Sequence, residues 1–384
     1  MHILIGADIV PTATNSELFC EGNANELVGE ELLQLLLSAD YRIFNLEVPL
    51  TDTPNPIEKC GPALIAETAT IKGYKSLGID CVTLANNHIM DQGAEGLYST
   101  FKTLRDNHIE YIGAGDNIEN VRSSVELELA EKKIGIYVCA EHEFSIAGKN
   151  IPGANPFDAL ETFDHIRALK AACDYVIVLY HGGKEHYRYP SPNLQKTSRK
   201  MVDCGANLVL CQHSHCIGCE EKYQKGIIVY GQGNFLFDYN RSECWQTGLL
   251  VRVDVADEFS VSYIPLKKMD NCVRLASDED AKEILRSFEK RSVEITSCDF
   301  VENNYEEFAE SMSDFYIASF CGINTKNLVF RLLNKLSRQG YARWMLRRKC
   351  SKRTCLKLRN FIECESHREL VLKVLTEKFN LAEK

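Results

Sequence analysis

Short apolar runs alternate with amphipathic stretches along the first 270 residues of the chain. Apolar runs of four to eight residues indicate buried strands, and apolar residues spaced three or four apart indicate helices. The pattern predicts strands at residues 3–7, 41–46, 80–84, 133–139, 174–180, 207–211 and 227–230. It predicts helices at residues 24–37, 70–77, 95–106, 156–172 and 193–204. This alternation is typical of an α/β protein.

The pattern changes after about Met269. Before this point, residues 248–255 and 259–265 alternate around the polar turn Ala256-Asp257-Glu258, which predicts a hairpin. After it, residues 278–290, 306–319 and 327–338 fit helices, and no strand pattern follows. We therefore predict a body at residues 1–270 and an all-helical appendage at residues 271–384.

Composition places the chain among soluble globular proteins. It is 45% hydrophobic and 26% charged, and its apolar runs are far shorter than a bilayer requires. The first residues carry no basic and apolar export signal, so we expect a cytoplasmic location. The 16 cysteines lack a tight repeating spacing and are interpreted as buried apolar residues in a reducing compartment.

The net charge of −10 hides an asymmetry. Residues 321–384 contain 16 Lys and Arg against 5 Asp and Glu, a charge of +11, which leaves −21 on residues 1–320. An acidic body argues against specific nucleic-acid binding and is compatible with gathering metal cations. The basic appendage, without an acidic residue from 322 to 362, has two interpretations. It either packs on the acidic body or binds an anionic polymer or an anionic membrane surface.

Polar residues follow six of the seven predicted body strands. They are Asp8, Asn45 with Glu47, Asn86-Asn87-His88, His181, His213 with His215, and Asn234. Ligands of open α/β sheets bind at the carboxyl ends of strands, so these side chains are expected at one edge. Carboxylate, amide and imidazole groups together suit Zn, Mn or Fe.

The segment His213-Ser214-His215 has a geometric argument of its own. Residues i and i+2 of an extended segment point to the same side and can reach one metal site or two adjacent sites. Cys216 and Cys219 follow, so a structural zinc site of two histidines and two cysteines is the alternative. Four ligands within seven residues would be cramped, which favours the first interpretation.

These residues resemble the bacterial capsule synthesis family of CapA type, whose domain is similar to the calcineurin-like metallophosphoesterases. The match covers about residues 1–240, and its motifs occur in the family's order. They are Gly6-Ala7-Asp8, Asn45-Leu46-Glu47, Leu84-Ala85-Asn86-Asn87-His88 with Asp91, His181-Gly182-Gly183 with Glu185, Gln212-His213-Ser214-His215, and Gly231-Gln232-Gly233-Asn234. Together, the ordered motifs are far more specific than any single motif.

The resemblance implies a four-layer αββα sandwich with one or two divalent metal ions at one edge. By the phosphoesterase scheme the metal ligands are Asp8, Glu47, Asn87, His181, His213 and His215, with Glu47 bridging. His88 is the expected general acid or oxyanion stabiliser, and Asp91 orients its ring. Asn45, Glu185 and Asn234 are the expected substrate-binding residues. Glu185 also fits an exposed loop residue, and Asn234 also fits a backbone turn.

Two departures from the scheme bear on the metal site. The phosphoesterase Asp-x-His motif is replaced by Asp8-Ile9-Val10, so one metal loses a histidine and its site is expected to be weak or empty. Gly182 follows His181 where CapA-type proteins carry a tryptophan, which implies a more open wall.

The expected function is that of a metal-dependent hydrolase or transferase linked to capsule or poly-γ-glutamate-like exopolymer biosynthesis. Its substrate is then an anionic polymer or a small molecule. The alternatives are a non-catalytic accessory protein with a degenerate metal site, and a structural zinc protein.

Overall fold

A computed structural model describes residues 1–378, apart from residues 123, 238–241, 256–257, 324–326, 338–340, 342–343, 346–347 and 349. The chain divides into two compact units, Met1–Val301 and Glu302–Lys384. Among the described residues, no helix is both long enough and apolar enough to cross a membrane.

The strands of the first unit are β1 (His2–Ile9), β2 (Tyr41–Leu46), β3 (Cys81–Thr83), β4 (Glu110–Ile112), β5 (Ala114–Gly115), β6 (Val125–Leu129), β7 (Lys132–Ala140), β8 (Gly153–Ala154), β9 (Tyr175–His181), β10 (Leu208–Gln212), β11 (Glu220–Tyr223), β12 (Gly226–Tyr230), β13 (Asn234–Leu236), β14 (Thr247–Val255), β15 (Phe259–Met269) and β16 (Cys272–Leu275). Its helices are α1 (Ser16–Glu21), α2 (Ala24–Val28), α3 (Glu30–Leu37), α4 (Ile71–Ser76), α5 (Gly93–Asp106), α6 (Thr162–Ala172), α7 (Pro192–Asp203) and α8 (Asp278–Glu294). Then come α9 (Cys298–Phe320), which crosses the division, α10 (Leu328–Leu336), and helices at Lys352–Glu363 and Glu365–Lys378.

Two mixed sheets form the centre of the first unit. The first has the order β16-β15-β14-β1-β2-β3-β4, with β13 also paired to β1. The second has the order β11-β12-β10-β9-β7-β6. Strands β1 to β4 run parallel, as do β7, β9, β10 and β12, so the carboxyl ends within each set share one edge.

Alternation along the strands of the second sheet separates two apolar layers. In β9, Ile177 and Leu179 belong to the large core that also contains the first sheet, whereas Val176 and Val178 belong to a second core with helices α6 and α7. Burial of both strand faces explains the continuous apolar runs in the sequence. The predicted αββα architecture is confirmed.

The expected boundary near residue 270 differs from the division after Val301. Strand β16 pairs with β15, which corrects the expectation that no strand follows Met269. Helix α8 buries Ile284 and Phe288 in the large core. Strand β16 was missed because four residues are too few to show a clear period. Helix α8 belongs with the body because its apolar face packs into the large core of the body.

Two smaller corrections concern helices. Gly29 has a φ of 76° and ends α2, so the expected helix at 24–37 is two helices. The expected helix at 156–172 begins only at Thr162. The hairpin of β14 and β15 is present, but its predicted turn residues Ala256 and Asp257 lie outside the described residues.

Candidate metal centre

The carboxyl ends of five strands, β1, β2, β3, β9 and β10, bring the predicted ligands together. Asp8 lies near the end of β1, and its Cα partners are Asn45 on β2 and Asn234 on β13. His181 is the last residue of β9, opposite Gln212 at the end of β10. Since the parallel strands of each sheet end at one edge, residues far apart in sequence meet there.

Asp8 and His215 form one side of the cluster. Asp8 Oδ1 accepts a 2.7 Å hydrogen bond from Asn45 Nδ2, and Asp8 Oδ2 lies 3.3 Å from His215 Nδ1. His215 Nδ1 also lies 2.8 Å from Asn234 Oδ1. Asp8 and Asn234 are almost completely buried.

His181 forms the centre of the other side. Its Nε2 lies 3.1 Å from Asn87 Oδ1, 3.1 Å from His213 Nδ1 and 3.2 Å from Glu47 Oε1. Its Nδ1 lies 3.3 Å from Asn45 Nδ2. The expected convergence of the six ligand candidates is therefore present in the geometry.

Three of these side chains fit a metal ion directly. Single ligand atoms of Glu47, His213 and His215 lie within 4.8 Å of one another. Neither carboxylate oxygen of buried Glu47 receives a hydrogen bond, and Asp8 Oδ2 receives none either. Imidazole nitrogens lie beside two of these oxygens, with His181 Nε2 at 3.2 Å from Glu47 Oε1 and His215 Nδ1 at 3.3 Å from Asp8 Oδ2. Buried carboxylate oxygens that receive no hydrogen bond are costly, and a bound cation offsets that cost. The donor set of oxygen and imidazole nitrogen therefore fits a divalent metal.

The electrostatics of the cluster also favour a cation. Burial lowers the pKa of His215, but Glu47 and Asp8 outweigh burial and raise that pKa to about 9. Burial lowers the pKa of His213 well below its usual value, and the neighbouring histidines add to this effect. His213 is thus held neutral, which is the form that binds metals.

The backbone of the histidine segment differs from the expected extended form. His213 has a φ of 86° and His215 a φ of 52°, both in the left-handed backbone region that residues other than glycine rarely adopt. Their ring centroids nevertheless lie 5.8 Å apart, facing the same cluster. Strain of this kind persists only where the surrounding structure enforces it, and it concentrates at functional sites.

His88 and Asp91 lie beside the ligand candidates as an expected pair. His88 Nδ1 lies 2.6 Å from Asp91 Oδ2, which also accepts a hydrogen bond from the Leu64 backbone at 2.7 Å. The buried Lys59 ammonium donates to Asp91 Oδ1 and lies 3.3 Å from His88 Nδ1. The contacts from Lys59 and the Leu64 backbone hold the Asp91 carboxylate in place, and Asp91 in turn fixes the orientation of the His88 ring.

The three expected substrate-binding residues differ in their surroundings. Both polar atoms of the Asn45 amide are hydrogen-bonded within the protein. Its Nδ2 donates to Asp8, and its Oδ1 accepts from Thr83 and Asn86. We therefore interpret Asn45 as a residue that positions ligands. Asn234 Nδ2 is buried without a hydrogen-bond partner and so remains available. Glu185 is half-buried, and no described hydrogen bond or ion pair joins it to the cluster.

The structural zinc alternative gains no support. Cys219 packs in the apolar core around α7, and Cys216 is hydrogen-bonded to Cys244. Among the described residues, the one group that fits a metal contains neither thiol.

Three neighbours of the site were not predicted from the sequence. They are Lys59, Glu143, which accepts a 3.1 Å bond from Asn87 Nδ2, and Trp245, whose ring stacks on His215 at 5.0 Å. Each lies outside a regular strand or α-helix, where periodicity carries no information. Trp245 also donates a 2.9 Å hydrogen bond to His186, which helps to hold its indole ring beside His215.

Residues 4–239 match the family described as bacterial capsule synthesis protein PGA_cap. The chain belongs to this family. The resemblance expected from the ordered motifs is confirmed.

Several curated relatives of this PGA_cap protein carry capsule or polymer names. It is 32% identical to the capsule biosynthesis protein CapA of Bacillus anthracis over 212 residues, covering 53% of this chain and 52% of that protein. It is 27% identical to the PGA biosynthesis protein CapA of Bacillus subtilis (strain 168), covering 52% and 54%. A probable polyglutamine synthesis accessory protein of Mycobacterium tuberculosis is 25% identical over 69% of this chain and 76% of its own. The chain thus spans about half the length of the two Bacillus relatives.

Solved structures similar to the PGA_cap protein include two that are named as enzymes. One is a novel phosphatase from Mycoplasma pneumoniae, 14% identical, with a TM-score of 0.45 over 70% of this chain and 94% of that chain. The other is a 5′-nucleotidase precursor from Thermus thermophilus, 15% identical, with a TM-score of 0.42 over 76% and 58%.

Proposed function

We propose that this chain is a metal-dependent hydrolase or transferase of metallophosphoesterase type that acts in capsule or exopolymer biosynthesis. The observation that carries the proposal is the group Glu47, His213 and His215, whose ligand atoms lie within 4.8 Å beside a His88–Asp91 pair. Family membership and the capsule and polymer names of the relatives support the biological setting.

The ligand candidates divide between two carboxylates, one amide and three imidazoles. Asp8, Glu47, Asn87, His181, His213 and His215 would hold one or two ions, with Glu47 close to both sides of the cluster. Oxygen and nitrogen ligands suit Mn, Zn or Fe better than soft metals. When bound, such an ion polarises the scissile bond and lowers the pKa of a water nucleophile.

The remaining residues prepare the reaction. Asp91 occupies Nδ1 of His88, so Nε2 is the nitrogen that supplies a proton to the leaving group. Lys59 and the Leu64 backbone hold Asp91 in place. Asn45 contacts both Asp8 and His181, and Asn234 Nδ2, which has no hydrogen-bond partner, would donate to a substrate oxygen. This arrangement suits hydrolysis of a phosphoester or of a γ-glutamyl amide.

The test combines metal content with turnover. Purified protein is analysed for bound metal and assayed, after supplementation with Mn, Zn or Fe, on phosphoesters and γ-glutamyl peptides. We expect bound metal and metal-dependent turnover in the wild type, and loss of both in Glu47→Gln and His213→Ala. The matched control is His142→Ala, because His142 is exposed.

The outcomes separate the proposal from its alternative. Metal bound at Glu47 without turnover on any substrate, or little bound metal, favours an accessory protein with a degenerate site. Metal retained in both variants rejects the site itself.

A further inference from the structure

Helix α10 exposes an apolar arc. Leu328, Leu332 and Leu336 are 69%, 53% and 80% exposed, and Val329 and Leu333 between them are exposed as well. At 100° per residue these five positions cover one continuous arc of the helix. Phe330, outside this arc, packs against the small core of the second unit. Among the residues that the structure describes, none covers the arc, whereas Phe330 on another side of the helix is packed.

Basic residues border the arc and recur on the segments that follow. Arg331 and Lys335 lie at one margin of the arc by their helical positions. Lys352, Arg353, Lys357 and Arg359 belong to the helix Lys352–Glu363, which also exposes Leu356 and Ile362. Long basic side chains beside an apolar face can lay their aliphatic stems along that face while their charged ends reach the water or the lipid headgroups.

An aromatic pair lies in the segment that follows α10. Trp344 is half-exposed, its ring stacks on Tyr341 at 5.9 Å, and the Arg348 guanidinium lies 4.8 Å from its centroid. Trp and Tyr combine an apolar body with a polar tip, which suits the boundary between water and lipid headgroups.

The second unit has little core of its own. Among its described residues, Ala318 and Ile323 are the buried hydrophobic side chains of its cluster. Many larger apolar side chains remain exposed, which is unusual for a unit that is meant to stay in water.

We propose that helix α10, together with the basic helix Lys352–Glu363, docks on an anionic lipid bilayer, with the arc of Leu328, Leu332 and Leu336 inserted at the headgroup boundary. A basic amphipathic helix binds such surfaces through buried apolar area together with attraction to anionic lipid. An anionic polymer would use the charges but would leave the leucines in water. A second copy that pairs arc to arc is disfavoured, because residues 322–362 carry no acidic group and two such surfaces repel.

The experiment measures co-sedimentation of the full chain with lipid vesicles. Wild type is mixed with vesicles of phosphatidylcholine alone or of phosphatidylcholine with phosphatidylglycerol. The variants are Leu332→Asp/Leu336→Asp and Arg331→Glu/Lys335→Glu. The matched control is Leu160→Asp, since Leu160 is 84% exposed in the first unit. Circular dichroism verifies that each variant stays folded.

We expect binding to the anionic vesicles only, reduced more than about tenfold by either double variant and unchanged in Leu160→Asp. Raising salt from about 0.1 M to about 1 M should weaken it, because screening shortens the reach of the charges.

Three outcomes would overturn the proposal. The first is that wild type ignores anionic vesicles. The second is that Leu332→Asp/Leu336→Asp binds as well as wild type while poly-γ-glutamate competes, which assigns the surface to a polyanion. The third is that sedimentation velocity shows a dimer that the leucine variant dissociates, which assigns the arc to a second copy.

Discussion

At the scale of single residues, the site depends on side chains that fix others. Asn45 holds Asp8 of one sheet and faces His181 of the other, and its amide oxygen is held in turn by Thr83 and Asn86. Such supporting contacts set ligand orientation and commonly affect metal affinity as strongly as a weak ligand does. Residue type indicated the ligand candidates in the sequence, whereas the contacts that support them depend on three-dimensional neighbours.

Replacement of His88 by alanine should lower turnover without removing metal. His88 is bonded to Asp91 and is assigned to proton transfer, which typically contributes about 100-fold to 10,000-fold. The measurement is kcat on the best substrate alongside elemental analysis, with His142→Ala as the control. If metal content falls together with kcat, His88 belongs to the coordination shell.

Lys268 should make stability depend on pH. This lysine on β15 is buried, its ammonium donates to the Phe235 carbonyl, and burial lowers its pKa from 10.5 to about 7 despite the opposing influence of Asp8. Below pH 7 the lysine is charged in the folded and in the unfolded protein. The folded protein is then destabilised by the full cost of burying a charged ammonium. Between pH 7 and 10.5 only the unfolded chain keeps the proton, so the wild-type free energy of unfolding rises relative to Lys268→Met by up to about 1.4 kcal/mol per pH unit.

The measurement is urea unfolding of wild type and Lys268→Met at several pH values from 6 upward. Comparison of the two proteins cancels the titration of groups they share. A stability difference that stays constant with pH would show that Lys268 has an ordinary pKa or is solvated.

At the scale of elements, strands with two buried faces were the most predictable. Strand β2 has the predicted bounds, and β9 differs by one residue at each end, because continuous apolar runs mark such strands directly. Strands β5 and β8 have two residues each and show no period. The left-handed backbone at His213 and His215 could not be predicted either, since it depends on contacts with distant segments.

Gly218 illustrates how those distant contacts limit the chain after His215. A Cβ at this position would lie 1.8 Å from the Tyr230 carbonyl oxygen, which is backbone and cannot rotate away. The Gly218 N–H donates to Gly231 O at 3.0 Å, and Tyr230 N–H donates to Cys219 O at 2.9 Å. The two backbones are therefore held in direct contact.

Gly218→Ala should lower the free energy of unfolding by about 1–3 kcal/mol or more, because the backbones must separate. Metal content should also fall, since Gly218 lies three residues after His215. The control is Gly148→Ala, where a Cβ would meet Ile151 at an ordinary 3.4 Å. Equal urea midpoints for the two variants would contradict this interpretation of the contact.

At the scale of the whole molecule, the two units differ in what stabilises them. Both large apolar cores consist of residues up to Val301, including Ile284, Phe288, Ile295 and Val301. The second unit contributes a cluster with two buried hydrophobic residues among its described part. Stability and the candidate metal centre therefore both belong to the first unit.

A chain that ends at Phe320 should fold and keep its metal. It retains α9 and every residue of the two large cores, while it loses residues 321–384 and their charge of +11. Since hydrophobic burial is the main source of stability, we expect its urea midpoint to stay close to that of the full chain. Turnover per bound metal should be unchanged, because all six ligand candidates precede residue 216. Binding to anionic vesicles should disappear. Unfolding or aggregation of the shortened chain, at low and at high salt, would instead mean that residues 321–384 stabilise the first unit.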